Sequence, residues 1–151
     1  MEKIEIKDFV GIKDITIEIK QINILIGPQA SGKSIVAKLL FYFKSFIFEM
    51  ISAAKELKSV RELNRDYKHK FKTFFPSSSW GNQDFTIRYS IDQEFIEIYR
   101  KKSSSKNKPS EIILKYSDFY HNKFTSLRDD IKKQNKKIAE EEIALSTGQK
   151  F

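Results

Sequence analysis

The chain has 151 residues, enough for one domain with a core of its own. It contains no cysteine, which excludes a disulfide framework, a thiolate metal site and a cysteine nucleophile; 40% hydrophobic residues, with thirteen Phe and six Tyr, exclude a disordered chain. Lys and Arg outnumber Asp and Glu by 28 to 20, a balance compatible both with an anionic partner and with ordinary solubilising lysine.

Met1 leads directly into a charged, alternating segment, so no secretory leader is expected. Residues 2–8 place Ile4 and Ile6 on one face of a half-buried strand, and Gly11 marks a turn. Residues 14–20 repeat the alternation with Ile15, Ile17 and Ile19, suggesting an antiparallel pair with one wet face. Residues 22–26 (INILI) are apolar almost throughout, as expected of a central strand covered on both faces. From Lys33 the period changes. Val36, Leu39, Leu40, Phe43, Phe46, Ile47, Met50 and Ile51 recur at three and four residues and predict a long helix reaching about Lys58. Lys38, Lys44 and Glu49 interrupt this run too often for a membrane span, and the chain reads as cytoplasmic.

Residues 59–72 are polar and rich in Lys and Arg and predict a helix and then a loop, within a basic helix/loop insertion at 59–82 that Pro76 and Ser77-Ser78-Ser79 punctuate. Residues 84–117 read as an antiparallel β region: strands at 84–90 and 94–101 joined by a short link, a polar loop at 103–110 and a third strand at 111–117. Residues 118–145 predict a charged helix or the base of a helical arm. The fold class expected is α/β, with a mixed sheet, a long helix after the glycine-rich break, the antiparallel β region and the C-terminal charged helix.

The break itself carries the chemistry. Gly27-Pro28-Gln29-Ala30-Ser31-Gly32-Lys33-Ser34 matches G-x-x-x-x-G-K-[ST], the Walker A phosphate loop, between a predicted strand and a predicted helix. Four fixed positions at average residue frequencies match by chance in a chain of this length on the order of once in a few hundred cases. Gly27 leaves the strand sharply, and Gly32 accepts backbone angles that a side chain resists. Successive backbone N–H groups then form an anion nest at the positive end of the following helix. Lys33 is placed to reach the β and γ phosphates, and the Ser34 hydroxyl to ligate Mg²⁺. Positions 27–34 together with Ile35 are the candidate contacts for ATP.

Two alternating strands and Phe9 precede this loop. In that order, residues 2–45 resemble the opening of ABC-type ATPase heads of the SMC, RecF and OLD-like families, within the AAA family ATPases. The resemblance implies a P-loop ATPase lobe that binds ATP with Mg²⁺, dimerises head to head around nucleotide and serves DNA repair or phage defence. It also implies a signature motif, a Walker B Asp-Glu and a switch histidine beyond a helical arm. No apolar strand ending in Asp-Glu follows Ser34, so residues 1–151 read as an incomplete domain, whose other half is supplied in cis or in trans. Without that carboxylate, hydrolysis by this chain alone is expected to be poor, since general-base help is usually worth about 10²–10⁴ in rate. Relatives with an Arg after the aromatic have Val10 in its place here. Gln83 and Gln93 are candidates for the glutamine that senses Mg²⁺, and Phe9 for a ring near the adenine or in the core.

The nucleic-acid candidates are Arg61, Arg65, Lys68, Lys70 and Lys72, with Tyr67 and Phe71 interleaved as rings that could stack on bases; a solvated helix face is the plainer alternative. His69 and His121 lack ligand partners at helical spacing, and Trp80 reads as a packing anchor. Two other functions compete: a small nucleotide or metabolite kinase, which needs an acceptor pocket and an arginine-bearing lid that the β region with Arg88 and Arg100 supports little, and a non-catalytic interaction module in which nucleotide holds the lobe together and the basic helices bind a partner.

Overall fold

The computed structural model describes residues 1–102 and 111–148. The polar loop expected at 103–110 lies outside the described residues.

One antiparallel sheet organises the chain. Its strands are β1 (Glu2–Phe9), β2 (Ile12–Ile19), β3 (Phe85–Ile91), β4 (Glu94–Arg100) and β5 (Ile112–Tyr116), in the order β2-β1-β3-β4-β5. The registers stack apolar residues on one face. Ile4 lies opposite both Ile17 and Tyr89, and Ile6 opposite both Ile15 and Ile87. Ile87 then pairs with Ile98, and Ile98 with Leu114. The other face carries Glu5, Lys7, Arg88 and Glu97, and here the Arg88 guanidinium lies 3.7 Å from the Phe95 ring centroid. Alternation in the sequence is thus alternation between core and water.

The helices are α1 (Lys33–Lys44), α2 (Phe46–Lys55), α3 (Val60–Phe74), the single turn α4 (Ser77–Trp80) and α5 (Asp118–Ser146). Their core is aromatic. Phe9 packs within 5.8 Å of Phe71, 5.4 Å of Phe75 and 4.8 Å of Phe85. Tyr42 and Tyr67 stack at 4.3 Å, and each hydroxyl donates to the other residue's carbonyl at 2.9 Å. Burial pushes both phenols well above the usual tyrosine range, so both remain donors.

Four expectations are corrected. The sheet is not mixed: every strand pair among the described residues is antiparallel. Residues 22–26 form no strand; Ile22, Ile24 and Ile26 are 78%, 78% and 90% exposed. A strand covered on both faces requires neighbours along its edges, and no described segment supplies them. The long helix is two. Ser45 turns its hydroxyl back onto the Tyr42 carbonyl at 2.7 Å, a back-bond that bends helices. The second helix then stops at Lys55, because Leu57 takes a left-handed φ of 55° and the Leu57 and Lys58 N–H groups close on Ala54 and Ala53. Residues 59–72 are not a helix giving way to a loop, because α3 continues to Phe74. A capping box starts it: Ser59 accepts from the Glu62 N–H, and Glu62 accepts from the Ser59 N–H at 2.7 Å.

Candidate functional site

After β2 the chain is folded back by Asn23, which accepts from the Lys20 N–H at 2.7 Å and donates to the Glu18 carbonyl at 2.9 Å. This turn delivers residues 24–27 alongside Ile12, Ile15 and Ile17 of β2, around a 430 Å³ cavity. Residues 27–32 then curl into the start of α1. Ala30 has φ 62° and Gly32 φ 91°, both left-handed. A side chain at Gly32 would be strained by φ alone, and its Cβ would lie 3.0 Å from Cγ1 and Cδ1 of Ile12. A Cβ at Gly27 would lie 2.9 Å from the Ser31 hydroxyl. The left-handed φ demands glycine at position 32, whereas at Gly27 the crowding comes from the movable Ser31 side chain.

Helix α1 begins without a side-chain cap and with no acidic residue in its first turn. Its leading N–H groups and the positive end of its dipole are left for an anion. The Lys33 ammonium folds back over the loop, donating to the Gly27 carbonyl at 2.5 Å, the Pro28 carbonyl at 2.6 Å and the Ser31 hydroxyl at 3.1 Å. A second cavity of 340 Å³ opens at this end, lined by Val10 and by Gln29, Ala30, Ser31, Gly32, Lys33, Ser34 and Ile35. The positions singled out in the sequence from 27 to 35 thus surround two adjoining spaces, with Ser34 exposed at the mouth. An ammonium, free helix-start donors and an exposed hydroxyl fit a phosphate group with a hard cation.

The motif alone did not reveal the contribution of the β1–β2 turn. Asp8, Val10 and Gly11 all have positive φ, 52°, 46° and 82°. Such a conformation in a β-branched residue is a genuine outlier, and strained backbone of this kind clusters at functional sites. The turn supplies Val10 to the 340 Å³ cavity and Gly11 to the 430 Å³ cavity, to which Asp14 adds a carboxylate. Phe9, the last residue of β1, is fully buried in the aromatic core, so it is not available to adenine. Gln83 and Gln93 line neither cavity. Nor do Arg88, which pairs with Glu97, and Arg100, which is buried and donates to the Gln83 carbonyl.

The five basic candidates divide. Arg61, Arg65, Lys68 and Lys72 recur at four, three and four residues along α3 and form one stripe. Arg65, Lys68 and Lys72 meet His69, Glu111 and Ile112 around a 200 Å³ hollow. Lys70 lies on the opposite side, donating to Glu49 at 2.6 Å and to the Ser45 hydroxyl at 3.0 Å. The interleaved rings of Tyr67 and Phe71 are buried, so neither can stack on a base. Trp80 is the packing anchor, its indole N–H donating to the Phe75 carbonyl at 2.8 Å.

Among the described residues no helix is long and apolar enough to cross a membrane. No significant match was found among curated proteins or among solved structures. A family model described as an AAA ATPase domain matches residues 1–149, and with that coverage the chain belongs to the AAA ATPase domain family.

Proposed function

We propose that positions 27–35 bind ATP through its phosphates, in a lobe of the ABC-type branch of this family. The observation that carries this reading is the Lys33 ammonium held over the Gly27 and Pro28 carbonyls at the uncapped start of α1. On arrival of the β and γ phosphates, Lys33 exchanges carbonyl partners for anionic oxygens, which form the stronger, charge-assisted bonds. The backbone N–H groups of the loop and the first turn of α1 hold the same oxygens. Ser34 would hold Mg²⁺, which supplies charge neutralisation between the phosphates.

Hydrolysis and head-to-head dimerisation need parts from outside residues 1–151. The exposed apolar run at 22–26 supports this, since it has the composition of a central strand and pairs with no strand among the described residues. The α3 stripe supports a DNA partner bound by its backbone, within the repair or phage-defence setting that the resemblance implies.

Calorimetric titration of MgATP into the chain, beside Lys33→Ala, tests the phosphate site. Binding in the wild type that is lost in Lys33→Ala is expected. Equal binding by both, or none by the folded wild type, overturns the reading.

A further inference from the structure

Helix α3 holds its basic residues where they repel one another. Arg61 and Arg65, Arg65 and Lys68, and Lys68 and Lys72 stand three or four positions apart, the spacings at which like charges destabilise a helix. The helix tolerates this because its other face, with Leu63, Tyr67 and Phe71, is buried. Little in the described surroundings cancels the charge. Arg65 leans on Asp66, its neighbour in the chain, at 3.3 Å, and Lys58 holds the same carboxylate at 3.0 Å. Lys68 and Lys72 form no ion pair among the described residues.

Three of the four also do more than line a flat stripe. Arg65, Lys68 and Lys72 meet His69 around the 200 Å³ hollow against β5, which Glu111 and the buried Ile112 line from the β5 side. Lys68 is half-buried there, whereas Arg61 does not line the hollow. With His69 neutral, the three cations against Glu111 leave two positive charges around one concave space. A phosphodiester within a strand brings one negative charge and is held on the path of the strand. A terminal phosphate brings close to two at neutral pH, presents three acceptor oxygens, and is free to enter a hollow. The Arg65 fork suits two of those oxygens at once, and the lysines act as point charges.

We infer that the hollow between α3 and β5 takes a phosphomonoester, the terminal phosphate of a DNA strand whose following phosphates pass along the stripe toward Arg61. This rests on the DNA reading of α3 given above and adds to it a preference for strand ends. The site is separate from the phosphate loop and shares no residue with it. Glu111 opposes the anion, so it limits how tightly a phosphate is held.

The test is fluorescence anisotropy with a short, internally labelled single-stranded DNA carrying a 5′-phosphate, a 3′-phosphate or hydroxyls at both ends. The full chain is used with Lys33→Ala, so that the phosphate loop does not contribute. A terminal phosphate should tighten binding about tenfold, the factor that one further charge-assisted hydrogen bond supplies. Lys68→Gln with Lys72→Gln should abolish the difference while leaving the melting curve unchanged. Glu111→Gln should enlarge it, a gain that loss of the fold cannot imitate. Inorganic phosphate and AMP should displace the phosphorylated strand only far above its own dissociation constant. Equal affinity for all three DNAs overturns the inference and leaves the DNA reading of the stripe standing. Displacement by AMP or phosphate at matching concentrations also overturns it and assigns the hollow to a small free phosphate. No binding of any of the DNAs removes the DNA reading itself, and this inference with it.

Discussion

Gly32→Ala tests whether the shape of the phosphate loop, and not merely its lysine, carries binding. The added methyl meets two separable obstacles. The backbone sits at φ 91°, where an L-residue is strained, and the Cβ lies 3.0 Å from two carbons of Ile12, closer than carbon atoms rest. Local strain of this kind costs about 1–3 kcal/mol. The loop is exposed and makes little contact with the aromatic core, so it can relieve the strain by leaving its present path instead of unfolding the chain. The melting temperature should therefore change little. Nucleotide affinity should carry the penalty, since the loop must return to this path to bind. At about 1.4 kcal/mol per factor of ten, the loss is between roughly fivefold and 150-fold. Titration of a fluorescent ATP analogue measures it. Ile12→Ala in the same chain removes the carbon contact and leaves the φ strain, so the double variant should recover part of the affinity. Wild-type affinity in Gly32→Ala would refute the reasoning, as would a double variant no better than the single one.

Ser59→Ala should destabilise the chain by about 1 kcal/mol, the ordinary cost of losing a helix N-cap, read from chemical denaturation at pH 7. The Ser59 backbone N–H and hydroxyl hold the Glu62 carboxyl below the usual carboxylate value of 4.5. Its contribution is therefore complete above that value and is lost as pH falls through the depressed one; the stability gap between the wild type and Glu62→Gln should close over that acidic range. If α3 binds DNA through its stripe, changing Arg65, Lys68 and Lys72 to Glu should weaken binding and lower the slope of log K against log salt by about 3 at full contact. Lys70→Ala, on the other side of the helix, should leave that slope unchanged. An unaltered slope in the triple variant would exclude the stripe.

What could be read from the sequence was whatever one residue type enforces locally. Alternation located β1 and β2 because Ile4 and Ile6 need a core face and Ile17 packs against the same core. The motif located the loop because Gly32 stands where the backbone is left-handed and a Cβ would crowd Ile12, and Gly27 where one would press on the Ser31 hydroxyl. Helix α3 was harder, since its charges mask the Leu63, Tyr67 and Phe71 spacing that buries it, although the Ser59 and Glu62 capping pair was in plain view. The separation of Lys70 from the other basic residues was equally available from helical periodicity. The ends of α1 and α2 were not, because Ser45 and Leu57 take on tasks usually given to Gly or Pro. Residues 22–26 misled for a different reason. Their composition reports the surroundings a segment is suited to, whereas a strand exists only where another strand offers its backbone.

That uncovered run has a consequence for the life of the chain in a cell. Ile22, Asn23, Ile24, Leu25 and Ile26 carry no charge and no proline, and strand-forming residues of this kind in the open are prone to stack between copies. The same surface is what holdase chaperones and proteases survey. In the complete domain proposed above, the half that covers it therefore sets more than the architecture of the site: it fixes how long a newly made lobe escapes triage. Synthesis without the covering partner should lead to insoluble or degraded material, making the abundance of the lobe a reporter of the partner's supply.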